Sequence, residues 1–236
     1  MHLDPSLLQA LAPRRVDGPR GVEDHEVAIA VGRQTLGARF AVPERARGTV
    51  LLAHASGISR HSSRGRFVTS TLSRAGLATL VVDLLTEEED DEGPTLRSDV
   101  PLLADRLVTA TDWLAEQPLT ADLPVGYFAE GAAAAGAVVA AALRPGVVQA
   151  IVSQDGRPEL GGASLFLLRG PALLVVSGDD AELLATNRAA LAKLRGERRL
   201  EVVPGTTRDG PGFDQLTALA RDWFAEHLDA SLLTGN

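Results

Sequence analysis

The stretch PVGYFAEGAAAAGAVVAAAL, residues 124–143, decides the fold. Its first part, 124–128, is a short apolar run of strand length. Its last part, 132–143, is almost all alanine, glycine and valine and has helical length. Ala129, Glu130 and Gly131 stand between them. A buried strand that turns through small residues into a helix is half of a β-α crossover. The apolar run 131–143 is too short to span a bilayer.

The alternation extends in both directions. Upstream, 49–53 (TVLLA) and 77–83 (LATLVVD) read as strands, while 63–75 and 99–116 carry helical stripes. Further upstream, 25–31 and 35–42 alternate apolar and polar residues around Gly32, the pattern of an antiparallel hairpin. Downstream, strands are expected at 147–152, 171–176 and 200–203, with helices at 181–194 and 213–228. This order predicts an α/β fold: a mostly parallel sheet of about eight strands flanked by helices, with an antiparallel edge. Residues 1–24 hold Pro5, Pro13 and Pro19 and read as an irregular arm, with one helical turn at 6–11. Residues 25–236 read as a single domain with little or no lid. The acidic segment 86–94 reads as a solvated loop.

Composition narrows the function. The 236 residues carry 23 basic and 31 acidic side chains, a net charge of −8. That balance argues against nucleic acid or an anionic membrane as partner. With no cysteine there is no disulfide framework, thiolate nucleophile or Cys-ligated zinc. Lys193 is the single lysine, placed on the outer face of its helix, so Schiff-base chemistry is not expected. The histidines and acids show no metal-ligand spacing, and EEEDDE (87–92) lacks the ligand spacing and turn glycine of a calcium loop. No cofactor is expected. A small-molecule substrate or ligand is the expected partner, a homodimer is allowed, and the absence of a signal-like N-terminus predicts a cytoplasmic protein.

Ligands of open α/β sheets sit at the carboxyl ends of the strands. The segments there are HASGISRHSSRGR (54–66), AEGAA (129–133), SQDGRP (153–158), SGDDAE (177–182) and PGTTRDGPG (204–212). In order and spacing they resemble the dienelactone-hydrolase-like branch of the α/β-hydrolase superfamily, over roughly residues 25–230. Members of that branch usually read AHG-S-G-S-x-R, G-Y-F-G-A-S-T-G, G-G-x-D and P-G-A-T-H at these places. The resemblance implies a Ser-Asp-His triad with the serine on a tight strand-to-helix turn. Here the serine position falls on Gly131, and the histidine position falls on Arg208, which stays protonated and cannot act as base. The acid position holds Asp180. The resemblance also implies an oxyanion-type loop at His54, Ala55, Ser56 and Gly57, with a second N–H donor at Ala132. Gly131 and Ala132 open a helix, which favours an anionic group there.

Each candidate has two readings. Glu130 is a general acid or base beside the turn, or a side chain directed away from the pocket; a one-residue shift would put it at the nucleophile point itself. Asp155 faces the pocket or caps its own loop. Asp180 and Arg208 form a salt bridge between two loops, or Arg208 binds a ligand carboxylate or enolate. His54 packs in the loop, and His61 belongs to the loop architecture, each with a lesser acid–base reading. The expected function is noncovalent, non-hydrolytic chemistry (cyclisation, isomerisation, elimination or a pericyclic step) on a small carbonyl-containing metabolite. The alternatives are an inactive pseudoenzyme that binds a ligand or partner protein, and a residual hydrolase that uses an acid-activated water.

Overall fold

The computed structural model describes residues 14–15 (backbone only), 21–54, 60–205 and 211–229. The helical turn expected at 6–11 lies outside them. Among the described residues, one nine-stranded sheet runs β1-β2-β3-β5-β4-β6-β7-β8-β9. The strands are β1 (Arg14–Arg15), β2 (Val22–Val31), β3 (Gln34–Pro43), β4 (Gly48–His54), β5 (Leu77–Asp83), β6 (Val125–Glu130), β7 (Val148–Gln154), β8 (Ala172–Ser177) and β9 (Arg198–Val203). β2 to β9 are the eight strands expected, mostly parallel; β1, β2, β3 and β5 pair antiparallel at one side. β1 and the first three residues of β2 fall in the segment expected to be an irregular arm.

The helices cover both faces. They are α1 (Ser63–Arg74), α2 (Glu87–Asp91), α3 (Pro94–Arg97), α4 (Val100–Glu116), α5 (Ala133–Leu143), α6 (Ser164–Leu167), α7 (Ala181–Leu191) and α8 (Pro211–His227), with a 3-10 turn at Pro158–Gly161. Leu51, Ala53, Tyr127 and Ala129 pack with Leu103 and Leu107 of α4 and Ala137 of α5. The alternate residues Val50, Leu52, Phe128 and Val152 pack with Val68 and Leu72 of α1 and Phe213, Leu216 and Phe224 of α8. Strand side chains alternate between faces, so both layers are apolar because helices cover both sides. No helix among the described residues is long and apolar enough to cross a membrane.

The acidic segment is not a loop. Thr86 caps α2 in a capping box: its hydroxyl accepts the Glu89 N–H, and the Glu89 carboxylate accepts the Thr86 N–H. Glu89 also takes a two-pronged pair from Arg106 of α4, both contacts 2.6 Å, with Arg106 only 3% exposed. That pairing holds the Glu89 carboxyl below the usual carboxylate range. Local charge repulsion is thus offset by one buried guanidinium on a distant helix, which no local pattern reveals.

Candidate functional site

β6 and β7 end two residues later than their apolar runs suggest. Glu130 is therefore the last residue of β6, and its direction is fixed by strand alternation. It lies on the face of Phe128, toward α1 and α8, as does Gln154 on β7 relative to Val152. Glu130 and Gln154 are paired in register, and Ala53 pairs Ala129, so His54 follows beside Glu130. His54 in turn pairs Asp83 of β5. Four adjacent parallel strands thus finish in a polar row: Asp83, His54, Glu130, Gln154.

Most of this row is buried. His54 is 3% and Gln154 1% exposed, and the Glu130 side chain is 23% exposed. His54 Nδ1 stands 3.8 Å from Glu130 Oε2. Burial, aided by the Arg64 charge, pushes the His54 imidazole down to about 3, so the contact joins a neutral ring to a carboxyl group and is no ion pair. Burial also raises the Glu130 carboxyl above its ordinary range; Arg64 opposes the rise and Asp155 adds to it. Among the described residues, both His54 nitrogens, Glu130 Oε2 and both Gln154 side-chain polar atoms have no hydrogen-bond partner. Such a group of buried unmet donors and acceptors is unusual in a folded protein.

Gly131 follows Glu130 at φ +60°. A Cβ built there would meet nothing within 4 Å, although that backbone strains any L side chain. The turn is held from β7: Gly131 N–H donates to Gln154 C=O at 3.2 Å, and Gly131 C=O accepts the Arg157 N–H at 3.0 Å. These positions fix Gly131 in the turn and Glu130 in the strand, so the one-residue shift is not adopted. Ala132 is already helical and caps α5 without a side-chain bond. The N–H groups of Ala132 and Ala133 have no backbone acceptor among the described residues.

Asp155 sits just beyond β7 at φ +41°. Its Oδ1 accepts the Ser177 N–H at 2.7 Å and its Oδ2 the Ser177 hydroxyl at 2.9 Å. The bonds are not local to its loop; they tie the ends of β7 and β8. Gly156 cannot carry a side chain, since a Cβ would stand 2.1 Å from Ser153 Oγ. Its carbonyl accepts from the buried Asn187 amide of α7 at 3.0 Å, which anchors the loop. Asp155 and Ser177 line a cleft of about 390 Å³ with Asp179 and Asp180. Asp180 is exposed and serves as the N-cap of α7, accepting the Leu183 N–H at 2.8 Å. Arg208, its expected partner, lies outside the described residues, as do Ala55, Ser56 and Gly57.

His54 and Asp83 also line a second cleft, of about 750 Å³, with Arg33, Arg60, His61 and Glu87. Asp83 is paired there to Arg60 through the guanidinium and the backbone N–H. His61 is exposed, 3.8 Å from Glu26. Lys193 is exposed beyond the end of α7. No group of three or more His, Asp or Glu among the described residues is arranged to hold a metal ion. Sequence reasoning missed Gln154 and Arg64. Arg64 had a signal: a cation in the first turn of a helix opposes the helix dipole, so its position asks for another explanation.

No family model matches the chain. It is similar to a dienelactone hydrolase of Anabaena variabilis, at 41% identity and a TM-score of 0.83, covering 89% of this chain and 100% of that one. A cold-adapted esterase from an Arctic intertidal metagenomic library shares the fold at 14% identity and a TM-score of 0.72, over 90% and 97% of the two chains. Two putative phosphoribosyl transferases of Mycobacterium tuberculosis, from strains CDC 1551 and H37Rv, are 46% identical over 210 residues, 88% of this chain. The chain spans about half, 47%, of the length of these curated relatives.

Proposed function

The chain belongs to the dienelactone hydrolase family of α/β-hydrolases, and from that premise we propose that it is a repurposed member. In this reading it performs noncovalent, non-hydrolytic chemistry on a small carbonyl-containing metabolite. The observation that carries the reading is Gly131: the turn keeps its φ of +60° and its open side, yet bears no side chain that could attack. A carbonyl oxygen docked at the Ala132 and Ala133 N–H groups would meet the positive end of α5. Glu130, whose proton is retained to higher pH by burial, would exchange a proton with the substrate while neutral His54 orders the other side. Cyclisation, isomerisation and elimination need such positioning and one proton-transfer group rather than a nucleophile.

The test is untargeted mass spectrometry of metabolite extracts incubated with the wild-type protein and with Glu130→Gln. The expected result is a product isobaric with its substrate, or lighter by a small eliminated molecule, whose formation Glu130→Gln abolishes. A product heavier by one water, or covalent labelling of the wild type by a fluorophosphonate, overturns the reading. The same missing side chain at Gly131 favours a second reading, a pseudoenzyme that binds a ligand or partner protein without turnover. Saturable binding of a metabolite that is recovered unchanged would select it.

A further inference from the structure

The cleft lined by His54 and Asp83 is also lined by α2. Glu87, Glu88, Asp90 and Asp91 all face it, while Glu89 of the same helix is taken by the buried Arg106. Asp90 is paired to Arg97 of α3. Glu87, Glu88 and Asp91 are in no ion pair among the described residues. Hydrogen bonds from its own backbone and from Thr86 keep the Glu88 carboxyl below its ordinary range, so it stays charged. The helix dipole favours acids at the start of α2. It does not account for Asp91, the last residue of the helix and four positions after Glu87, where dipole and like charge both oppose a carboxylate. The rest of the lining compensates little. Arg60 is bound to Asp83, His61 stands 3.8 Å from Glu26, and Arg33 is the one guanidinium there without a partner among the described residues.

A second observation points into the same cleft. His54 lines it, is 3% exposed, and neither of its ring nitrogens has a hydrogen-bond partner among the described residues. The ring is neutral, so one nitrogen offers a lone pair and the other an N–H. A buried lone pair in a cleft with an excess of carboxylates suits a guest that brings N–H donors and positive charge. No group of three or more His, Asp or Glu among the described residues is arranged to hold a metal ion. An alkylammonium asks for less, because its N–H bonds can meet a lone pair and separate carboxylates one at a time. We propose that this cleft, of about 750 Å³, is a subsite for an alkylammonium group, so that the metabolite worked on at the polar row carries a protonated amine as well as a carbonyl. His54 belongs to both the cleft and the row, so a guest seated in the cleft adjoins Glu130. The capping box and the Arg106 pair hold α2 in place beforehand, which spares the guest the cost of ordering it. The subsite deepens the functional reading given above and rests on it for the reacting end of the metabolite.

The probe is butylammonium chloride near neutral pH, with butanol, butyrate and magnesium chloride as comparisons, titrated into the whole chain. Binding is read from the His54 ring nitrogen resonances together with the α2 backbone cross-peaks. Butylammonium should bind saturably and shift both, and butanol and butyrate should bind about tenfold more weakly or not at all. Glu87→Gln with Asp91→Asn should weaken butylammonium roughly tenfold, the joint effect of two partly screened ion pairs. Arg33→Gln should tighten it about threefold, a change of opposite sign that misfolding cannot imitate. Glu116→Gln with Asp122→Asn removes two charges at the end of α4 and ahead of β6, and should leave binding unchanged. Equal binding of ammonium and alcohol, a preference for butyrate, the same shifts with magnesium, a silent His54, or an equal loss in the two double variants overturns the subsite. Butylammonium binding that depends on Glu87 and Asp91, together with turnover indifferent to Glu130→Gln, would sink the catalytic reading and leave the subsite standing. Turnover that Glu130→Gln abolishes, on a substrate without an amine, would do the reverse.

Discussion

Glu130 and Gln154 end neighbouring strands side by side, paired in register on the same face of the sheet. Each is the polar last residue of a mostly buried strand. Their position under α1 and α8, rather than in the turn, sets the behaviour expected of the site.

Stability should depend on Glu130 through pH. Its carboxyl is raised in the folded protein, so the folded state binds more protons than the unfolded chain above the ordinary carboxylate range. The Glu130 contribution to stability therefore falls as pH rises from that range through the raised value, and is flat beyond it. His54, lowered to about 3 by burial, adds a rise up to its ordinary value, so urea titrations at a series of pH values should show the Glu130 decline as the difference between the wild-type and Glu130→Gln curves. A parallel pair of curves would contradict it.

Asp155→Asn should act in two ways. Asparagine tolerates the positive φ of this position, so the backbone is kept. The charge-assisted bonds to Ser177 are weakened, for a cost of about 1–2 kcal/mol. Because the Asp155 charge contributes to the raised Glu130 carboxyl, the stability decline should move to lower pH in the variant. Midpoints of urea unfolding against pH read both effects at once.

Gly131→Ser should fold, at a cost of about 1–2 kcal/mol for a side chain at positive φ. Alone it should not react with a fluorophosphonate, because family resemblance puts the general base at position 208, where arginine stands. Gly131→Ser combined with Arg208→His should label. Labelling of the single variant would show that another group activates the hydroxyl.

Arg106→Ala should destabilise the fold away from the site, since Arg106 is a buried charge partner. It strips a buried partner from Glu89 and leaves the carboxylate uncompensated, for about 3 kcal/mol. Circular dichroism and urea unfolding check this. Glu89→Gln with Arg106→Met should recover much of the loss.

The sheet was legible because its strands are apolar runs separated by helical stripes; 49–53 and 77–83 fall inside β4 and β5. The site was legible only as far as its segments. Hydrophobic patterning ends a strand where polarity begins, so 124–128 and 147–152 stopped short of Glu130 and Gln154, although both belong to the strands. That two-residue shortfall concealed the polar row. Asp180 follows β8, and the hydrogen bond it accepts from Leu183 N–H serves the helix it caps. The α2 helix escaped for a different reason. Its capping box was written in Thr86 and Glu89, but the guanidinium that stabilises so acidic a turn comes from Arg106, seventeen residues beyond Glu89.

The open side of Gly131 also governs time courses under the proposed function. With no side chain to hold an acyl group, no covalent intermediate accumulates. Product should then appear without a burst, and added methanol or hydroxylamine should not divert the reaction into new adducts.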